Sequence, residues 1–205
     1  MYLDNLIGAG KRLFVPVHDL GIHEHYDDFI SADPLYKARF VDIRSRAENL
    51  ARSGAFMFSN SEFVRREHVL KHVSSIQEDR TSVIYLPVNI PKDITKGLLS
   101  EKEVREKFDL KKSYIFYPTQ VRPYKNISVL VEALSILRKE KDIDVNLVLT
   151  GRPSDVPEVA SLIEKHNLEK EVISLSAVTE SELYSLYRYA AVAAVPTLLE
   201  GGFPW

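Results

Sequence analysis

The chain has 205 residues, with 27 lysines and arginines against 29 aspartates and glutamates, a net charge of −2, and 45% hydrophobic residues. This composition is typical of a folded globular protein and excludes both a disordered chain and a strongly basic nucleic-acid binder. The absence of cysteine excludes disulfides, thiolate zinc sites and iron–sulfur clusters. The longest fully apolar run, residues 190–195, is far shorter than the roughly 20 residues of a membrane-spanning helix. Because residues 1–10 also lack the features of a secretory signal, we expect a cytoplasmic protein.

The first half of the chain alternates short β-rich runs with helical patterns. These patterns predict strands at residues 13–17, 55–59 and 82–87, and helices at residues 35–53 and from Ser59 or Asn60 onward. Residues 87–99 contain two prolines, a glycine and no apolar periodicity, so a linker is predicted at residues 88–99.

The second half has a clearer pattern, in which strands and helices alternate about every 30 residues. Strands are predicted at residues 114–118, 145–150, 172–176 and 190–196, and helices begin near Ser100, Ile127, Val159 and Thr179. Glutamates three residues after Ser100 and Thr179 predict capping boxes for two of these helices. Right-handed crossovers then give a parallel sheet covered by helices, in which ligands bind at the carboxyl ends of the strands.

The predicted organisation is therefore two α/β domains, at residues 1–90 and 91–205. The first domain has too few predicted strands for a stand-alone sheet, and residues 200–205 follow a strand where another helix is expected. We expect that the chain lacks material at both ends, so that the N-terminal domain is incomplete.

Three segments that follow predicted strands, residues 119–126, 150–155 and 196–204, lie at the carboxyl edge of the second sheet. Arg122 and Lys125 come directly before a predicted helix, whose free N–H groups and positive dipole end suit a phosphate or diphosphate. Asn126 is the predicted N-cap of that helix. On spacing alone, a solvated pair of surface charges is equally compatible.

Glu200, Gly201 and Gly202 follow the last predicted strand. The two glycines permit close backbone approach to a ligand, and the carboxylate can accept hydrogen bonds from sugar hydroxyls. An ordinary acidic turn is the alternative reading of this segment.

Three histidines, His18, His23 and His25, lie among acidic residues after the first strand. Their spacing matches no standard zinc motif, so we predict no metal site. His18 is a candidate for contacting substrate across a cleft, and a capping or otherwise satisfied polar histidine is the alternative.

The helix predicted at residues 35–53 is rich in cations: Lys37, Arg39, Arg44, Arg46 and Arg52. Anionic lipid headgroups or a phosphorylated acceptor could bind this face, although a solvated helix face is the commoner explanation. No G-x-G-x-x-G follows a strand, which argues against a dehydrogenase, and no Walker A motif is present.

Residues 114–137, 145–155 and 172–205 together resemble the C-terminal half of retaining glycosyltransferases of the family-4 type. Residues 17–20 and 58–69 resemble the final strands and helices of the N-terminal domain of that family. The resemblance implies the GT-B architecture, in which two Rossmann-like domains with parallel sheets face each other across a cleft.

The resemblance also assigns roles. Lys125 matches the lysine that grips the donor diphosphate, and Arg122 stands in for a basic partner that the family places elsewhere. Glu200 matches the first of two glutamates and would contact the donor sugar, while the second would lie beyond Trp205. His18 matches a cleft histidine near the donor sugar. Two further sets are implied for donor binding: the backbone N–H groups of Gly201 and Gly202 for the diphosphate, and the turn at Ala177 and Val178 for the base.

The expected function is transfer of a hexosyl group, with retention, from a nucleoside diphosphate sugar to a saccharide or lipid-linked acceptor. We expect no metal or other cofactor, no nucleic-acid partner, and peripheral contact with the inner face of the membrane. Two alternatives stay open: a non-catalytic or inactive nucleotide-sugar-binding fragment, and a GT-B-like sugar-nucleotide epimerase that uses no acceptor.

Overall fold

A computed structural model of the chain contains, among the residues that it describes, two parallel β-sheets and five α-helices. It describes residues 12–20, 34–87, 97–175, 177–198 and 200–201, with the backbone alone for residues 34–40. No helix in these ranges is both long enough and apolar enough to cross a bilayer.

The chain divides into two compact units. The first unit comprises residues 1–88 together with residues 199–205, and the second comprises residues 89–198. The division near residue 89 falls inside the predicted linker. Glu200 and Gly201, which the predicted boundary at residue 90 places in the second domain, group with the first unit.

The first unit is built on a three-stranded parallel sheet in the order β1-β2-β3. Its elements are β1 Phe14–Val17, α1 Pro34–Arg52, β2 Phe56–Ser59, a π-helix Val64–Leu70 and β3 Thr81–Val83. Buried apolar side chains from β2, α1 and the π-helix form one core, among them Met57, Leu50 and Val64. The predicted apolar face of α1 is confirmed at Ala47, Leu50 and Ala51.

The strand predicted at residues 82–87 is wrong in extent, because β3 ends at Val83. Ile84 still donates its N–H to the Ser59 carbonyl at 2.8 Å, but its side chain is exposed. Tyr85 is 72% exposed, and Pro87 has no N–H to continue a ladder. An apolar run that lies on the surface therefore accounts for the overlong prediction.

The second unit is built on a four-stranded parallel sheet in the order β6-β5-β4-β7. Its strands are β4 Ser113–Tyr117, β5 Val145–Leu149, β6 Val172–Ser174 and β7 Val192–Ala193. Its helices are α2 Glu101–Lys107, α3 Ile127–Glu140, α4 Pro157–His166 and α5 Glu180–Tyr189.

Strand β5 is buried at all five positions, as its nearly continuous apolar sequence predicts. Leu147 and Leu149 pack into a core with α3 and α4, whereas Val148 packs into a second core with α2 and α5. Apolar layers thus cover both faces of the sheet and leave its edges for polar loops.

Candidate functional site

Loops that follow three strands of the second unit contact one another. Thr150, after β5, donates its hydroxyl to the Thr119 carbonyl after β4 at 3.3 Å. The Tyr124 carbonyl accepts the Leu198 N–H at 3.0 Å and the Thr197 hydroxyl at 3.3 Å, which ties the loop after β4 to the segment after β7. These bonds fix the loop between β4 and α3 from both sides.

Gly151 is required for this arrangement because a side chain would collide with the neighbouring loop. A Cβ added there would lie 2.6 Å from the Thr119 carbonyl oxygen and 2.7 Å from the Val121 nitrogen. The Gly151 carbonyl in turn accepts the Ser174 hydroxyl at 2.8 Å. Gly151 therefore allows the backbones of two loops to pack directly against each other at the edge of the sheet.

A short 3₁₀ turn, Pro123–Lys125, comes just before α3. Of the two predicted cations, Arg122 directly precedes this turn and Lys125 is its last residue. Arg122 is exposed and donates from Nη2 to the Gln120 side-chain oxygen at 2.8 Å. Lys125 is half-buried, with Nζ 5.2 Å from the centroid of the Tyr124 ring. Both positive charges therefore lie within a few residues of the first free N–H groups of α3.

Asn126 is the N-cap residue of α3, as predicted, but its side chain does not cap the helix. Its backbone is left-handed (φ 52°, ψ 42°) and its side chain makes no capping hydrogen bond. Its Nδ2 instead donates to the Pro196 carbonyl at 3.2 Å. The side chain joins two loops, so it leaves the first-turn N–H groups of α3 without a side-chain cap of its own.

The turn expected to recognise a base precedes α5. Ala177 is exposed and Val178 half-buried, and Ser176 lies outside the described residues. The predicted capping box at Thr179 and Glu182 is confirmed, with the Thr179 N–H donating to Glu182 Oε2 at 2.7 Å.

Lys107 and the Glu182 carboxylate form an ion pair. The hydrogen bond that Lys107 donates lowers the pKa of Glu182 the most, and the hydrogen bond from the Thr179 N–H lowers it further. A charged cap of this kind fixes the start of α5 and therefore the turn in front of it.

The first unit brings His18 and the Glu200–Gly201 segment together. A Cβ added at Gly201 would lie 2.6 Å from the His18 carbonyl oxygen and 3.1 Å from Asp19 Cβ. His18 is exposed and Glu200 half-buried, and Gly202 lies outside the described residues. His18 and Gly201, two of the predicted site residues, thus lie close together although they are 183 positions apart in sequence.

Two residues that were not predicted from the sequence, Ser61 and His68, form hydrogen bonds with the backbone near His18 and Gly201. Ser61 donates its hydroxyl to the Gly201 carbonyl at 2.6 Å, and His68 Nδ1 accepts the Leu20 N–H at 3.2 Å. One local feature of the sequence indicates a role for Ser61: it lies three residues before Val64, and a serine at this spacing often accepts a backbone N–H. Its hydroxyl does accept the Val64 N–H, at 3.1 Å.

Within the described ranges, no group of three or more His, Asp or Glu side chains could hold a metal ion. His23 and His25 lie outside the described residues.

Two cations of the predicted basic face pair within α1, Arg46 with Asp42 at 2.9 Å and Arg52 with Glu48 at 3.8 Å. The side chains of Lys37 and Arg39 lie outside the described part of the chain. Peripheral membrane contact stays a prediction.

Three comparisons with known proteins bear on this arrangement. A family model described as "Glycosyl transferases group 1" matches residues 100–204, about half of the chain. Over 79 residues the chain is 34% identical to the MMP alpha-(1->4)-mannosyltransferase of Mycolicibacterium hassiacum, covering 38% of this chain and 19% of that protein.

Solved structures with the same fold include WaaG, a glycosyltransferase involved in lipopolysaccharide biosynthesis, with a TM-score of 0.68 and 14% identity. That match covers 98% of this chain and 57% of WaaG. Anabaena HepE in complex with UDP-glucose gives a TM-score of 0.66 and 18% identity over 95% of this chain and 49% of HepE. The chain thus spans about half the length of these structures, and the predicted GT-B-like α/β fold with parallel sheets is confirmed.

Proposed function

The chain belongs to the glycosyl transferases group 1 family, and we propose that it transfers a hexosyl group from a nucleoside diphosphate sugar to a saccharide or lipid-linked acceptor, with retention. The mannosyltransferase name of one relative and the UDP-glucose complex of HepE support a nucleotide-sugar donor.

One observation carries the proposal: Arg122 and Lys125 lie close to the first turn of α3. The Asn126 side chain does not cap this helix, because it bonds to the Pro196 carbonyl instead. Uncapped N–H groups and the positive end of the helix dipole attract a diphosphate. An arginine adds a two-pronged donor and a lysine adds a compact charge.

In the proposed reaction the bond between the anomeric carbon and the diphosphate oxygen breaks, and the acceptor oxygen bonds to the same face of that carbon. The acceptor proton passes to the departing diphosphate. Lys125, Arg122 and the N–H groups of α3 stabilise the negative charge that develops there, and a fixed donor of this kind contributes roughly 3 kcal/mol. Side chains supply the positive charge, so the proposal requires no metal.

We assign His18 and Glu200, which belong to the first unit, to contacts with the donor sugar. Gly201, which directly follows Glu200, packs against the His18 carbonyl. Glu200 accepts hydrogen bonds from sugar hydroxyls, and His18 contacts the sugar from the loop after β1. Ala177 and Val178 present backbone groups to the base.

Calorimetric titration with UDP, GDP and NAD, in buffer that contains EDTA, tests the proposal. We expect one of the two diphosphates to bind and NAD not to bind. Arg122→Ala should weaken that binding about ten-fold, since a charge-assisted hydrogen bond is lost. Arg188→Ala, an exposed arginine at the end of α5, is the matched control and should bind as the wild type.

Binding of NAD, or of neither diphosphate, would contradict the proposal. Incubation of the nucleotide sugar alone separates the remaining alternative, because an epimerase converts the sugar nucleotide without an acceptor and a transferase does not.

A further inference from the structure

We propose that Ser61 is a positioning residue that holds Glu200 beside His18. This inference rests on the proposed function, which assigns both of those side chains to the donor sugar. Ser61 itself touches no reacting atom in this proposal.

The hydroxyl of Ser61 is fixed at both ends. It accepts the Val64 N–H at 3.1 Å, at the first residue of the π-helix, and donates its one proton to the Gly201 carbonyl at 2.6 Å. The acceptor is 140 residues away in sequence, so this bond is tertiary. A hydroxyl that is held by its own helix start leaves the Gly201 carbonyl little freedom.

Gly201 is also closely packed by other residues of the first unit. The position of a Cβ at Gly201 lies 2.6 Å from the His18 carbonyl oxygen, 3.1 Å from Asp19 Cβ and 3.4 Å from Val64 Cγ2. The backbone at Gly201 is therefore packed between the loop after β1 and the start of the π-helix. Because Glu200 directly precedes Gly201 in the chain, this packing also restricts the position of its backbone.

The same π-helix also contacts the loop that carries His18. His68 is 1% exposed and its Nδ1 accepts the Leu20 N–H at 3.2 Å, two residues after His18. One helical segment thus contacts both the His18 loop and the Glu200–Gly201 segment. π-Helices often occur at functional sites, and a side chain supported in this way keeps a productive geometry.

The first test follows amide hydrogen exchange of the peptide that contains residues 200 and 201. We expect Ser61→Ala to exchange about five-fold faster than the wild type, as loss of one buried hydrogen bond implies. Ser61→Thr keeps the hydroxyl and should restore slow exchange. Ser53→Ala is the matched control, because Ser53 also donates to a backbone carbonyl, that of Leu50, at 2.7 Å in the same unit.

The second test compares affinity for a nucleotide sugar with affinity for its nucleoside diphosphate, using UDP-glucose with UDP and GDP-mannose with GDP. Ser61→Ala should lose about ten-fold of the preference for the sugar-bearing ligand, while binding of the diphosphate itself stays unchanged. A merely structural role would lower both affinities together.

Unchanged exchange in Ser61→Ala would overturn the positioning role and leave the proposed function intact. If the wild type binds neither nucleotide sugar, the proposed function fails, and the inference about the sugar fails with it. Equal losses for both ligands, or no rescue by Ser61→Thr, would also contradict the inference.

Discussion

At the scale of single residues, the loop that bears Lys125 is shaped by two positions with little tolerance for change. Asn126 adopts a left-handed backbone, with φ of 52°, which few residue types other than glycine and asparagine take readily. Gly151 lies so close to the Thr119 carbonyl that no side chain fits. The positions of Arg122 and Lys125 therefore depend on two uncharged residues that shape the loop.

Gly151→Ala should therefore disturb the Lys125 turn from a distance. The added methyl group must displace backbone at Thr119 or Val121, so we expect lower stability and at least several-fold weaker binding of a nucleoside diphosphate. Gly97→Ala is the control, because its Cβ would make an ordinary contact 3.6 Å from Ser181 Cβ. Equal behaviour of the two variants in thermal unfolding and calorimetry would refute this account of Gly151.

At the scale of helices and strands, patterns of neighbouring residues predicted the features that depend on local interactions, such as helix faces and helix starts. Apolar periodicity found the core face of α3, and the capping boxes located the starts of α2 and α5. The extent of β3, the π-helix and the packing of Gly201 in the first unit depend on tertiary contacts, so no local pattern indicated them. Ser61 was missed for the same reason, since its partner Gly201 is remote in sequence.

Strand β4 is joined to α5 by one buried hydrogen bond, which the Tyr114 hydroxyl donates to the Leu186 carbonyl at 2.7 Å. Tyr114→Phe should lower the free energy of unfolding by about 1 kcal/mol. Burial raises the pKa of Tyr114 to about 12 from its usual 10.0. Between these pH values the unfolded chain loses the proton and the folded chain keeps it, so this contribution to stability declines as pH rises.

Urea unfolding at pH 7 and at several values above pH 10 measures both effects. The wild type should lose stability more steeply than Tyr114→Phe in the alkaline range. The control Tyr85→Phe removes a hydroxyl from a side chain that is 72% exposed, and should follow the wild type. Parallel alkaline slopes for wild type and Tyr114→Phe would contradict the assigned burial effect.

At the scale of the whole molecule, the residues proposed for donor binding are divided between the two compact units. Arg122, Lys125 and the turn at residues 177–178 belong to the second unit, whereas His18 and Glu200 belong to the first. Each unit has its own apolar core and its own parallel sheet. The account therefore assigns diphosphate binding to one unit and sugar recognition to the other.

The most direct test of the central claim asks whether Lys125 recognises the second phosphate of the donor. Calorimetry with UDP against UMP, and GDP against GMP, measures that preference in the wild type, in Lys125→Ala and in Lys141→Ala, an exposed lysine at the opposite end of α3. The account predicts that Lys125→Ala loses about ten-fold of the diphosphate preference and that Lys141→Ala keeps it. A full diphosphate preference in Lys125→Ala would contradict the account.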